Sequence, residues 1–217
     1  ETNGLFQNDG EVFRHINNEG DLLQPDAVPG DVRFVDINRD GVIDAEDRTQ
    51  IGNPTPDWTL GFDGSIDYKG IDFSFLFIGA LGNDIFNGTQ RQDLRYTNRP
   101  TSILDRWTGE GTSNSEPRFT WVDTNNNYRV SDLYIENGSY VKLKNVQIGY
   151  NIPNNLLDRI GATAWRFYVS AENLITITGY SGMDPEIGVA FDPENASSSF
   201  DVGIDRAIYP QARTFRV

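Results

Sequence analysis

Alternation of apolar and polar positions organises most of this chain. In DWTLGFDGSIDYKG, residues Trp58, Leu60, Phe62, Ile66 and Tyr68 share one face, and Thr59, Asp63, Ser65 and Asp67 share the other. A period of two predicts a β-strand. After a tight turn at Tyr68-Lys69-Gly70, IDFSFLFIGALG sets Ile71, Phe73, Phe75, Phe77 and Leu81 opposite Asp72 and Ser74, so the two stretches predict a β-hairpin. SYVKLKNVQIGYNI alternates Val141 and Leu143 against Lys142 and Lys144, then changes phase so that Val146, Ile148 and Tyr150 oppose Gln147 and Gly149. The phase change near Lys144-Asn145 predicts a β-bulge or a strand leaving the apolar layer. In WRFYVSAENLITITG, residues Phe167, Val169, Ala171, Ile175 and Ile177 face away from Arg166, Ser170, Glu172 and Thr176, with Asn173 interrupting the apolar row. ARTFRV sets Phe215 and Val217 against Thr214 and Arg216.

The connections alternate in length. Tyr68 to Gly70 is tight, and PNNLLDRIGATA is short, with Pro153 opening and Gly161 closing about two helical turns. The stretches from Asn83 to Asp132 and from Tyr180 to Ala207 are long and rich in Gly, Asn, Ser, Thr, Asp and Arg, and only TSILDRW within them reads as briefly helical. Short turns on one rim, long loops on the other and strands of about ten residues with one apolar face describe the wall of an outer-membrane β-barrel. A soluble β-sandwich would carry the same alternation with its apolar face turned inward, and periodicity does not give the direction. Strand length and the charged and amide side chains of the polar face favour the barrel. The organisation expected is a loop region over residues 1–56 followed by strands and loops of one barrel domain over residues 57–217.

A different chemistry sits in DINRDGVIDAED. Counted from Asp36 as position 1, side-chain oxygens fall at Asp36, Asn38, Asp40, Asp44 and Asp47, which are positions 1, 3, 5, 9 and 12, with Gly41 at position 6. This is the spacing of an EF-hand-like calcium loop, in which Val42 would offer its backbone carbonyl. Calcium needs six to eight oxygens at about 2.3 to 2.6 Å, so alternate side chains must converge while the backbone turns sharply at the glycine. Asp47 stands where the EF-hand form has Glu, and its shorter stem must reach further. Asp, Asn and Gly also favour turns on their own account; the coincidence of five ligand positions with the glycine points to a structural calcium site.

Charge and composition remove other classes. With 32 acidic against 18 basic residues, the formal charge of -14 and the lack of any Lys/Arg cluster argue against nucleic-acid binding. No cysteine is present, which fits a bacterial envelope protein. The single histidine, His15, gives a Ser-His-Asp triad or a histidine-based metal site little to stand on. Carboxylates in DYKGID or MDPE would serve a glycosidase, yet a hairpin turn and a loop account for them. The chain reads as a non-enzyme.

Four stretches, PGDVRFVDINRDGVIDAEDRTQIGNPTPDWTLGFDGSIDYKGIDFSFLFIGALGNDI, NGSYVKLKNVQIGYNIP, FYVSAENLITITGYSGMDPE and YPQARTFRV, resemble the carboxy-terminal part of SusC/RagA-type TonB-dependent outer-membrane transporters of Bacteroidota. The resemblance runs from Pro29 onward, and residues 1–28 match only loosely. It implies an all-β fold: an antiparallel transmembrane segment, about the last five strands of a roughly 22-stranded plugged barrel, with long extracellular loops. It also implies a longer protein, whose plug and TonB-contacting segment lie outside this chain. The expected partners are a SusD-like surface lipoprotein acting as a lid, TonB through the plug, outer-membrane lipid, and an imported glycan or peptide. The 36–47 loop would then lie outside the cell, where millimolar calcium saturates even a weak site.

Ligand contacts are expected among aromatic residues of the long loop, Trp107, Trp121, Tyr128 and Tyr134, although loop aromatics also pack their own loop. Lys142, Lys144, Arg166 and Glu172 would line the lumen or pair across strands. Two readings outside transport remain: a secreted, calcium-stabilised, carbohydrate-binding β-sandwich, and a dockerin-like adaptor. A dockerin pairs two calcium loops, and one is present here.

Overall fold

The computed structural model describes residues 1–90, 98–158, 161–187 and 202–217. Parts of the two long connections and of the short link after Pro153 therefore lie outside the described residues.

The chain divides into two compact units, residues 53–87 with 136–217, and residues 1–52 with 88–135. The first is built on a five-stranded antiparallel sheet of β3 (Trp58–Tyr68), β4 (Ile71–Leu81), β7 (Tyr140–Asn151), β8 (Arg166–Thr178) and β10 (Thr214–Arg216), in the order β10-β8-β7-β4-β3. β3 and β4 pair without a break from Trp58↔Leu81 to Tyr68↔Ile71. Lys69 and Gly70 both take positive φ, 50° and 85°, the two-residue turn whose twist suits a hairpin. A Cβ on Gly70 would come within 2.9 Å of the Asn151 carbonyl oxygen, so glycine is required there for space as well as conformation.

The phase change in β7 is a bulge. Leu76 pairs with Asn145 and Phe77 with Leu143, leaving Lys144 as the extra residue. On the other side Leu143 pairs with Ile175 and Asn145 with Glu172, so β8 widens at Asn173-Leu174, with Asn173 at φ 53°. The bulge keeps one apolar face continuous where strict alternation would have turned Val141 and Leu143 to the polar side. Cross-strand rows run Tyr68-Ile71-Tyr150-Phe167, Ile66-Phe73-Ile148-Val169 and Phe62-Phe77-Leu143-Ile175.

That face is bare. Phe62 is 65% exposed and Ile177 66%, and Trp58, Leu60, Ile66, Tyr68, Ile71, Phe73, Ile148, Tyr150, Phe167, Val169, Ile175 and Phe215 are exposed with them. Among the described residues no second sheet of this unit covers it, whereas a sandwich would bury it. At about 1 kcal/mol for each half-buried large side chain, the face forgoes on the order of 10 kcal/mol in water, as much as a whole domain's stability. The opposite face carries ion pairs between strands, Arg166–Asp72 at 2.6 Å reaching from β8 across β7 to β4, and Arg216–Glu172 at 2.7 Å between β10 and β8.

Beyond the Trp58 end of the strands, the same unit forms a small sheet of β5 (Asp84–Asn87), β6 (Ile135–Asn137) and β9 (Ile204–Asp205), with β5 and β9 parallel. Asn87 Nδ2 donates to Glu136 at 2.8 Å, and Tyr180 Oη donates to Asp205 at 2.6 Å. Burial and the Asp205 carboxylate both push the Tyr180 phenol above its ordinary value. The short link after β7 holds one helical turn, α2 (Asn154–Leu157), begun by Pro153, and Gly161 follows at φ 70°.

The second unit has few regular elements: β1 (Thr2–Leu5), which pairs with β2 (Val32–Phe34), the helix α1 (Asp9–Arg14) and short 3-10 turns, one of them at Thr101–Asp105. Asn8 caps α1, its side chain accepting from the Glu11 N–H at 3.1 Å. Leu5, Val32 and Phe34 form the main apolar cluster. The free edge of β2 meets side-chain amides instead of a strand. Asn127 Oδ1 accepts from Val32 N–H at 2.8 Å, Asn125 Nδ2 donates to the Val32 carbonyl at 2.9 Å, and Gln24 Oε1 accepts from Phe34 N–H at 2.8 Å. Asn127 also donates to Asp31, which Arg118 holds at 2.6 Å. Fully buried backbone groups need such partners, and here amides replace a missing strand.

Candidate functional site

Residues 36–47 form a tight loop in which the acidic and amide side chains hold backbone N–H groups. Asp36 accepts from Arg39 at 2.6 Å and from Gly41 at 2.9 Å. Asn38 accepts from Asp40, Asp40 from Val42, and Asp44 from Glu46. Asp47 points inward, nearly buried, and accepts from Ile37, Asp44 and Asn38. Burial pushes the Asp47 carboxyl up, but the three backbone donors outweigh it and hold it below its ordinary value. Gly41 has φ 91°, the sharp turn that its position in the pattern demands. Among the described residues, no three His, Cys, Asp or Glu side chains converge as metal ligands would. The loop is thus turned at the expected glycine, with its carboxylates directed to N–H groups and Val42 exposed.

The four aromatic candidates lie in different settings. Trp107 packs half-buried against the Leu5, Val32 and Phe34 cluster, its indole N–H 3.3 Å from Gln7 Oε1. Tyr134 is buried. Tyr128 is half-buried, and its hydroxyl has no partner; burial raises its pKa, with the Asp123 charge adding to the shift. Trp121 is exposed and meets Phe119 edge-on at 5.3 Å.

The lumen-type lysines of β7 are engaged. Lys142 is 1% exposed and lies 3.0 Å from Asp184 and 2.7 Å from Glu186, while Lys144, the bulge residue, reaches Glu186 at 3.0 Å and Gln211 at 2.6 Å. The MDPE segment after β8 is therefore clamped onto the polar face of the wall. Sequence alternation marked Lys142 and Lys144 as facing that side but gave no hint that residues some forty positions away would neutralise them.

No family model matches the chain. Among characterised proteins it is 36% identical over 194 residues to TonB-dependent receptor P3 of Formosa agariphila, covering 89% of this chain and 19% of the receptor. It is 28% identical over 213 residues to TonB-dependent receptor SusC of Bacteroides thetaiotaomicron, covering 98% of this chain and 19% of that protein. The chain thus spans about a fifth of the length of these relatives. Among solved structures, the RagAB peptide importer in its closed-closed state superimposes with a TM-score of 0.61 at 20% identity, over 99% of this chain and 22% of that one. The RagAB peptide transporter gives 0.57 at 24% identity, over 75% and 16%. Barrel strands with one bare apolar face, matched in sequence to these receptors and in fold to RagAB, place the chain in the SusC/RagA-type family of TonB-dependent transporters.

Proposed function

We propose that this chain is the carboxy-terminal part of the barrel wall of an outer-membrane importer that takes up oligosaccharides or peptides, driven by TonB and working with a SusD-like surface lipoprotein. The observation that carries the reading is the single-layered sheet with an exposed apolar face and an ion-paired polar face. Trp58 and Tyr68 end that face on β3, ten residues apart, or roughly 33 Å along the strand. With the tilt of barrel strands this becomes a band roughly 25 Å tall, the height of an outer-membrane apolar belt. Aromatic residues border it near the tight turn, where Tyr68, Tyr150, Trp165 and Phe167 gather, as they do at a membrane interface.

In this reading the Lys69-Gly70 turn faces the periplasm, and the long connections and the 36–47 loop face outward. Calcium in that loop is part of the proposal. Its support is the ligand spacing and the left-handed Gly41, and the residues that would hold the ion are Asp36, Asn38, Asp40, Asp44 and Asp47 with the Val42 carbonyl. Bound calcium would supply charge neutralisation and a fixed loop shape; it has no chemical step to perform.

The test is detergent extraction of the natively produced protein, followed by intact mass, identification of co-purifying proteins and metal analysis. A membrane protein several times the 24.4 kDa of this chain, with a surface lipoprotein and calcium attached, is the expected result. A water-soluble 24.4 kDa monomer would contradict the transporter reading.

A further inference from the structure

Beside the 36–47 loop lies a cavity of about 680 Å³, and it gathers polar groups with no protein partner. Arg129 lies against Phe34, its guanidinium carbon 3.5 Å from the ring centroid. Its Nε is buried and finds no acceptor among the described residues. Ser131, 2% exposed, lines the same cavity, and its Oγ is also buried without a partner. Arg48 borders the cavity and makes no ion pair among the described residues. Buried donors left unpaired cost about 1–3 kcal/mol each, and an acceptor entering this cavity would relieve that cost.

We propose that Arg48, Arg129 and Ser131 form a binding site for the carboxylate group of a small ligand. A guanidinium packed on an aromatic ring keeps its N–H edges for acceptors, and a carboxylate can match such a fork in two parallel hydrogen bonds. The Ser131 hydroxyl adds a third donor. Ile43, Ile51 and Val130 supply an apolar wall for the body of the ligand. Asp44 and Asp47 also border the cavity, but their carboxylates are committed to backbone N–H groups within the loop. Glu1 borders the cavity as well, and Arg48 and Arg129 are its two cationic side chains. The carboxylate has two natural sources, a peptide carboxy terminus and a uronic acid, and both present the same planar acceptor. This site is independent of how the sheet faces the membrane.

Isothermal titration on the purified full-length transporter tests it, with N-acetyl-trialanine against its carboxy-terminal amide and oligogalacturonate against neutral oligogalactose. One carboxylate probe is expected to bind at least tenfold more tightly than its neutral counterpart; which one does so identifies the source. Arg129→Gln is expected to remove that preference, Arg129→Lys to restore part of it, and Arg48→Gln and Ser131→Ala each to weaken carboxylate binding several-fold. Should Arg129→Gln fail to fold, the Arg48→Gln and Ser131→Ala variants decide by the same readout. Equal binding of carboxylate and neutral probes, or folded variants that keep the wild-type preference, would overturn the site.

Discussion

In the five-stranded sheet a backbone N–H is satisfied by the next strand, whereas in the unit of residues 1–52 and 88–135 the edge of β2 is satisfied by Asn125, Asn127 and Gln24. The sheet also leaves its apolar side chains bare, while the other unit closes its few apolar residues around Leu5, Val32 and Phe34. One region is therefore ordered by a repeating backbone pattern and completed by its surroundings. The other is ordered by particular side chains. Substitutions should expose the difference.

The largest effect is expected at Asp31. It is fully buried, and Asp31→Ala would leave Arg118 and Asn127 without their acceptor, at a cost of about 3–5 kcal/mol. Hydrogen exchange on the full-length protein should show the 1–52 and 88–135 unit loosening while β3 to β8 keep their protection. On the sheet, direction should matter more than identity. Phe62→Arg on the apolar face is expected to cost about 2–4 kcal/mol in refolding into lipid, and Asp63→Arg beside it close to nothing. Equal costs at the two positions would break the comparison. In the hairpin, Gly70→Val must place a branched side chain at φ 85° against the Asn151 carbonyl and should cost about 1–3 kcal/mol by the same assay. Gly61→Ala, with nothing within 4 Å of the added carbon, should be tolerated.

Smaller effects belong to the irregular unit. If the proposed calcium is bound, its chelation is expected to speed hydrogen exchange in residues 36–47 without changing exchange in the sheet. His15 should add a weak pH dependence. Burial against Phe6 lowers its pKa below the ordinary 6.5, so the folded unit favours the neutral ring. Its stabilising contribution is full above about pH 6.5 and falls as pH drops through the lowered value. A small loss of stability between pH 7 and 5, abolished in His15→Gln, checks this.

Legibility in the sequence follows the same division. The β3–β4 hairpin could be read because strict alternation flanks Lys69-Gly70, and the bulge because the alternation in β7 changes phase at Lys144. Both signals are local. β1, β2 and the β5-β6-β9 sheet went unread because two to four residues carry too little periodicity, and their partners lie far away in the chain. Asn125 and Asn127 look like loop composition, yet their spacing of two lets both side chains meet one strand edge. The turn at Gly41 was legible from its glycine, while the inward commitment of Asp47 to three N–H groups was not. Likewise, Trp107 carried no mark distinguishing a packed loop aromatic from an exposed one such as Trp121.

The central claim is that the bare apolar face of the sheet contacts lipid. Phe73 and Ser74 are consecutive residues of β4 on opposite faces, and this chain has no cysteine of its own. Single substitutions Phe73→Cys and Ser74→Cys, made in the full-length protein freed of any other cysteine and labelled with a small fluorophore, can be reconstituted into bilayers containing brominated lipid. Strong quenching at position 73 with little at position 74 is the predicted result; equal quenching at both, or none at 73, would contradict the claim.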